Sequence, residues 1–388
     1  MGKSVAVNTR ESGKLTWFKA AWLSLPMILL TAMMTTQGRL PSTAPALIAW
    51  ILTFAFLNTL FFMMLYTGKT NRYRSVLFIA TAVCFVITFM SNLLAVRGSL
   101  ALTRDNVING ETPFCHLVIP MTLIPAVLKR TVIFPGAMLT GFAAIATMLV
   151  LWLGASLALG RGWCSWVCFF GGLDEGFSCM SKKPVIKKID RRWTYLPHAV
   201  LIGGALTSAF TLSPTYCFWL CPFKAVTEFE KVESFRTVVA TIIFVSLFAG
   251  LVVVLPILTR RRIQCGLFCP FASFQSFFNK LNVFDIRIDR DKCSDCSHCV
   301  NTCPTFSIDE ASVGRGSTLL SCTKCGHCVD ACPKKAVSFH IKGTQPGLAS
   351  NKARLLFLYP AYIFAAAVGG GMINGALLLF LRSFKGLI

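Results

Sequence analysis

Apolar residues in this chain gather into long unbroken runs, with neither the two-residue alternation of a strand nor the single stripe of a surface helix. Seven runs lie near 20–36, 44–66, 75–96, 136–159, 195–213, 237–258 and 355–381. A helix of about 20 residues crosses a bilayer core, so each predicts a span. The fifth is short and carries His198 near its start. The predicted fold class is therefore a polytopic all-α membrane protein of about seven transmembrane helices. Residues 98–135 read PFCHLVIPMTLIPAV in their apolar part, broken by Pro113, Pro120 and Pro125. Proline density of that kind does not suit a straight span, and a re-entrant or interfacial element is expected. Residues 285–342 are polar and form a separate unit, inserted before the last span. That span holds Gly369, Gly370 and Gly371, which allow close helix packing or a kink.

Composition sharpens the class. The 388 residues are 55% hydrophobic and only 14% charged, too apolar for a water-soluble chain of this length. Net charge is +22. A basic chain can bind nucleic acid, but here the cations crowd the short loops beside apolar runs, the positive-inside pattern, so no nucleic-acid partner is expected. Lys3, Arg10, Lys14 and Lys19 precede the first run. Lys69, Arg72 and Arg74 follow the second, Lys182, Lys183, Lys187, Lys188, Arg191 and Arg192 the fourth, and Arg260, Arg261 and Arg262 the sixth. All fall on one side when seven spans are counted. That places the N-terminus and the 285–342 unit in the cytoplasm of a bacterial or archaeal cell and the C-terminus outside. No small-residue cleavage site follows the first run, which is read as a retained anchor.

The chemistry lies in the cysteines. Cys293, Cys296, Cys299 and Cys303 precede Pro304; Cys322, Cys325, Cys328 and Cys332 precede Pro333. This is C-x2-C-x2-C-x3-C-P written twice, the spacing that wraps a loop around a cubane, with each fourth cysteine ligating the other cluster. One [4Fe–4S] cluster is thereby assigned to Cys293, Cys296, Cys299 and Cys332, the second to Cys322, Cys325, Cys328 and Cys303. Zinc also uses C-x2-C pairs, but the doubled eight-cysteine pattern argues against it. The unit is expected to be a bacterial two-cluster ferredoxin-like α+β domain. His298 and His327 lie within the runs, as tuning groups or surface residues.

A weak internal repeat accompanies it: three times a span ends and C-x3-C follows. The pairs are Cys164 and Cys168, Cys217 and Cys221, and Cys265 and Cys269. Residues four apart share a helix face, so each pair can aim two sulfurs at one point. The first and third pairs fall on the inner surface and together supply four thiolates, enough for a third cluster. Soft thiolates select iron–sulfur, zinc or copper(I), and ordinary interfacial thiols are the plain alternative. Cys217 and Cys221 fall on the outer side with Cys115, beside His116. These can hold an outer cluster or metal, with His116 as a fourth ligand, or form a disulfide. Cys84 and Cys179 are read as structural. Trp163, Trp166 and Trp219 flank the pairs as an interfacial belt. His198 and His116 are candidates for contact with a quinone.

The order CSWVC after a span, two further spans, CGLFCP and two ferredoxin runs resembles the membrane-bound ferredoxin-type quinol dehydrogenases of the NapH and NosR type, over about residues 136–342. The chain divides accordingly into an N-terminal transmembrane region with the re-entrant loop (1–135), a NapH-like core with the three pairs (136–284), the ferredoxin domain (285–342) and a C-terminal helix (343–388). The resemblance implies an electron-transfer subunit of a quinol dehydrogenase in anaerobic respiration. Its partners would be membrane quinone and an outer cytochrome c or iron–sulfur protein. Four features depart from the family: Phe169 in place of proline after the first pair, the Cys217–Cys221 pair, two extra spans with the PFCHLVIP loop, and the last span. Reduction of copper for enzyme maturation and redox sensing are the other functions that thiolate pairs of this kind suggest.

Overall fold

The computed structural model describes residues 14–36, 40–95, 115–130, 145–227, 235–344 and 350–384. The apolar runs become helices: α1 (Trp17–Thr36), α2 (Ala44–Thr67), α3 (Thr70–Ala95), α4 (Ile119–Lys129), α5 (Ile145–Leu159), α6 (Phe169–Met180) and α7 (Leu196–Thr211). Helix α8 (Phe235–Leu247) runs on through a π-helical stretch, Phe248–Val254, into Leu255–Thr259. Pro256 lacks the N–H that would close the ladder there, which is a sufficient cause for the wider turn. Then come α9 (Pro270–Leu281) and the long α10 (Ser350–Phe384).

Among the described residues, four helices are long and apolar enough to cross a membrane: Trp17–Thr36, Ala44–Thr67, Thr237–Thr259 and Ser350–Ser383. The other three predicted spans differ. Helix α3 opens on Asn71, Arg72 and Arg74. Helix α5 covers only the later part of the fourth run, and 136–144 lie outside the described residues. Helix α7 has 16 residues. Of the proline-rich segment, 98–114 and 131–135 lie outside the described residues; the remainder is a 3-10 turn, His116–Val118, leading into α4.

Helix α10 packs along α2 and α3, and α3 along α6. Gly172 of α6 makes that last approach possible, since a Cβ there would run into the Phe78 carbonyl. Tyr362 on α10 is fully buried and donates to the Leu57 carbonyl oxygen of α2 at 2.5 Å.

The polar unit has a two-stranded antiparallel sheet, β1 (Phe284–Ile288) and β2 (Val337–Ile341), with Ile286 opposite Phe339. Between them run the two cysteine loops and three five-residue helices, His298–Thr302, Glu310–Gly314 and His327–Ala331. Phe339 stacks on Phe357 of α10, tying the sheet to the helical body. Asp330 accepts from the backbone N–H groups of Thr70 and Asn71 at the start of α3. The unit is docked on the helices, not tethered beside them.

Candidate metal centres

The two ferredoxin runs fold as near-copies, and their backbone explains why. Non-glycine residues with positive φ recur at matching places: Asp295 and Lys324 after the first cysteine, Phe306 and Lys335 after the fourth. Ser297 matches Gly326 after the second. Such left-handed steps curl the chain tightly enough to turn successive cysteines inward. After each fourth cysteine a backbone N–H returns to its sulfur: Ser307 N to Cys303 Sγ at 3.2 Å, and Ala336 N to Cys332 Sγ at 3.3 Å.

Two cavities result. One is lined by Cys293, Cys296, Cys299 and Cys332. The other is lined by Cys303, Cys322, Cys325 and Cys328. These are the two crossed sets read from spacing. Among the described residues, no three His, Cys, Asp or Glu side chains close on a point as a single ion would require. Four thiols around a cavity, with N–H groups aimed at sulfur, fit a larger sulfur-bound body. Burial raises the thiols of Cys303, Cys322, Cys325 and Cys328 above their ordinary pKa. They become thiolates when iron replaces the proton. Cys296 is exposed, so the first cavity is nearer water.

The first and third C-x3-C pairs meet. Cys168 and Cys269 have matching backbone, φ −69°, ψ 103° and φ −68°, ψ 117°, and each starts a 12-residue helix, α6 or α9. All four sulfurs are buried. Burial raises the thiol pKa of Cys168, Cys265 and Cys269, and the other thiols of the set raise them further. Arg262 Nη2 donates to Cys265 Sγ at 3.2 Å and to the Cys164 carbonyl at 2.6 Å. His116 Nε2 lies 3.2 Å from Cys168 Sγ.

This set rests directly on the second ferredoxin cavity. Ser165 Oγ donates to the Thr323 carbonyl at 2.5 Å and Trp166 Nε1 to the Lys324 carbonyl at 3.2 Å. Arg262 N donates to the Pro304 carbonyl at 2.8 Å. Arg74 bridges the two, donating to the Ser165 carbonyl at 2.6 Å and the Cys325 carbonyl at 3.2 Å. Its guanidinium also pairs with Glu175, which faces Arg262 at 3.8 Å. Burial pushes Glu175 up, but Arg74 and Arg262 outweigh it and hold the carboxyl below its ordinary range. Next to it, burial raises Asp174 to about 7. Asp174 accepts from the Cys265 backbone N–H at 2.9 Å. Lys324 lies buried under the same loop, donating to Leu159 and Asn279, and burial lowers its pKa to about 7. The sequence counted Arg74 and Arg262 as loop charges; they are 1% and 0% exposed. No local pattern distinguishes them from Arg72 or Arg260; only the partners do.

Cys115, Cys217 and Cys221, expected on the outer side, lie close to the other thiols. After α7 the chain reverses at Leu212, φ +49°, and returns along the helix. Thr215 N donates to Ser208 Oγ, and Tyr216 packs against Gly204. Cys115 is raised to about 12, by burial first and then by Cys221. Tyr216, fully buried, is pushed up by burial, then by Cys221, Cys269 and Cys217. The third thiol group thus adjoins the Cys164 and Cys265 pairs. His116 Nε2 faces Cys168 Sγ. Cys84 and Cys179 join none of these sets in the described structure, and His198 is exposed on α7.

A family model described as a 4Fe-4S dicluster domain matches residues 285–333. A second, a 4Fe-4S binding domain, matches three times, at 140–187, 194–231 and 241–289. Each match holds one C-x3-C pair at nearly the same depth, which bears out the weak repeat. Among curated proteins the chain is 27% identical over 171 residues to YccM of Escherichia coli (strain K12), whose name assigns it to electron transport. It is 26% identical over 173 residues to the methylamine utilization ferredoxin-type protein MauN of Methylobacillus flagellatus. It is 26% identical over 183 residues to the regulatory protein NosR of Stutzerimonas stutzeri. These matches take in 42%, 44% and 43% of this chain, and 46%, 58% and 24% of the relatives. The chain thus spans about half the length of the first two. No solved structure matches it.

Proposed function

We propose that this ferredoxin-type iron–sulfur chain, similar to the NapH and NosR polyferredoxins, is a membrane-bound electron-transfer subunit. It passes electrons between clusters at the inner face, the quinone pool and a redox partner on the outer side. A bound [4Fe–4S] cluster supplies one-electron chemistry at the potential its surroundings set. Cys293, Cys296, Cys299 and Cys332 hold the first, and Cys303, Cys322, Cys325 and Cys328 the second. Cys164, Cys168, Cys265 and Cys269 hold a third, and Cys115, Cys217 and Cys221 a further cluster or metal.

The observation that carries this reading is the packing of each thiol set on the next. The exposed Cys296 set is joined to the second set by crossed ligands. The second set touches the third through Ser165, Trp166 and Arg74. The third adjoins the Cys115 group through His116 and Tyr216. Such an order suits a line of one-electron carriers. The residues between the sets fix positions and exclude water; none is arranged as an acid–base pair on a substrate.

The test is to add a quinol analogue to the purified full-length protein and follow visible absorbance. Bleaching within the turnover time, with about twelve or sixteen irons per chain, is the expected result. Copper on the thiols with no response to quinol would replace this reading by metal reduction or maturation.

A further inference from the structure

Cys115 and His116 are neighbours in the chain, yet their side chains serve different thiol groups. Cys115 caps the 3-10 turn, its carbonyl accepting from Val118 N at 3.0 Å, and lies beside Cys221. His116 opens that turn, with Nε2 at 3.2 Å from Cys168 Sγ. Its ring is 2% exposed. Four aromatic rings box it: Phe271 at 5.1 Å between centroids, Trp163 at 5.6 Å, Phe169 at 5.7 Å and Phe170 at 5.8 Å. A sulfur that binds iron is only an acceptor, so the Nε2 facing Cys168 is the donor of the pair.

We infer that His116 is a positioning residue of the Cys164/Cys168/Cys265/Cys269 centre. Its Nε2–H donates to the Cys168 sulfur, and its backbone ties that centre to the thiol group of Cys115. The inference rests on the reading of those four cysteines as a cluster site. Its electrostatic consequence follows directly. A donor on a ligand sulfur withdraws charge and stabilises the reduced, more negative state, raising the potential. Arg262 does the same at Cys265 from the ferredoxin side. The centre thus receives two side-chain donors, Arg262 at Cys265 and His116 at Cys168.

The experiment compares full-length wild type, His116→Leu, His116→Gln and Phe271→Leu by iron content and by redox titration followed by electron paramagnetic resonance. Iron per chain is expected to stay level in all four. In His116→Leu one midpoint moves to lower potential while the two ferredoxin midpoints stay. His116→Gln, whose amide is a donor of similar reach, restores most of the shift. Phe271→Leu loosens the box without removing the N–H and leaves the midpoint in place. No shift in His116→Leu at full iron content overturns the inference. So does a matching shift in Phe271→Leu, which would mean packing alone, or a loss of about four irons in His116→Leu that glutamine does not restore. Wild type with only about eight irons removes the third centre itself, and the inference falls with the reading beneath it.

Discussion

The dicluster domain and the C-x3-C centre use the same cysteine backbone in different surroundings. Cys303 and Cys332 have φ −65°, ψ 116° and φ −71°, ψ 115°; Cys168 and Cys269 match them closely. In the domain, sulfur receives backbone N–H groups four residues on, and the left-handed steps lie inside the loops themselves. In the C-x3-C centre backbone N–H groups also reach sulfur, from Gly171 to Cys168 and from Phe271 and Ala272 to Cys269, but the side chains of His116 and Arg262 add donors, and the pairs lie about a hundred residues apart in sequence. The domain writes its own site locally. The centre borrows its site from helix packing, which brings two distant cysteine pairs and the donors His116 and Arg262 together.

The largest effect comes from removing a thiolate on either side of this divide. Cys265→Ser is expected to lose about four irons per chain while the dicluster spectrum persists. Reduction of the ferredoxin clusters by quinol analogue is then abolished. Cys325→Ser also loses about four irons, but weakens the domain, because its loop carries contacts to Arg74 and Trp166. Iron quantitation and visible spectra check both. Loss of all clusters in Cys265→Ser would mean that the domain does not stand without the centre.

Charge burial separates the two regions next. Glu175→Gln leaves Arg74 and Arg262 buried with their shared carboxylate gone. Breaking such a group costs about 3–5 kcal/mol, read as a lowered thermal midpoint of the holoprotein. In the domain, Arg290 and Asp295 pair at 2.6 Å in water, and Asp295→Asn is expected to leave that midpoint in place. Asparagine also accepts the positive φ at that position. Equal effects from both substitutions would erase the distinction.

Glycines give the same contrast on a smaller scale. Gly172→Ala on α6 drives a Cβ into the Phe78 carbonyl and Ala82 of α3, backbone that cannot yield. Overpacking of this kind costs about 1–3 kcal/mol. Gly314→Ala meets nothing within 4 Å and lies in a helix, so it should stabilise slightly. Thermal midpoints of the two variants, measured with iron content held constant, decide it.

What could be read in advance follows the same line. The eight ferredoxin cysteines and their crossing are set by spacing within one loop system, and the cavities group them that way. The pairing of Cys164 and Cys168 with Cys265 and Cys269 followed from the repeat. Residues whose role depends on a distant partner were not legible. Arg74 and Arg262 look like any loop cations until Glu175 and the carbonyls of Cys164 and Cys325 come near. The contact of His116 with Cys168 depends on a partner 52 residues away in sequence, and the approach of Tyr216 to Cys269 depends on the reversal at Leu212.

The smallest predicted effect tests the joint between the two regions. Asp330 belongs to the domain, yet its carboxylate caps α3 from 259 residues away, accepting from Asn71 N at 2.7 Å and Thr70 N at 3.2 Å. Arg354 of α10 closes the corner by donating to Thr70 Oγ1 at 2.8 Å. Asp330→Asn keeps an acceptor but removes the charge at the positive end of the helix, worth about 0.3–1 kcal/mol. Asp330→Ala removes the acceptor as well, and about 1 kcal/mol is expected. Global stability will scarcely register either change. Hydrogen exchange will: the first-turn amides of α3 should lose protection in the order wild type, asparagine, alanine. Arg74 sits one turn further along that helix, so loosening there reaches the Cys325 carbonyl before it reaches any cysteine of the first run. Faster exchange confined to the first ferredoxin loop would mean instead that Asp330 steadies its own domain and not the joint.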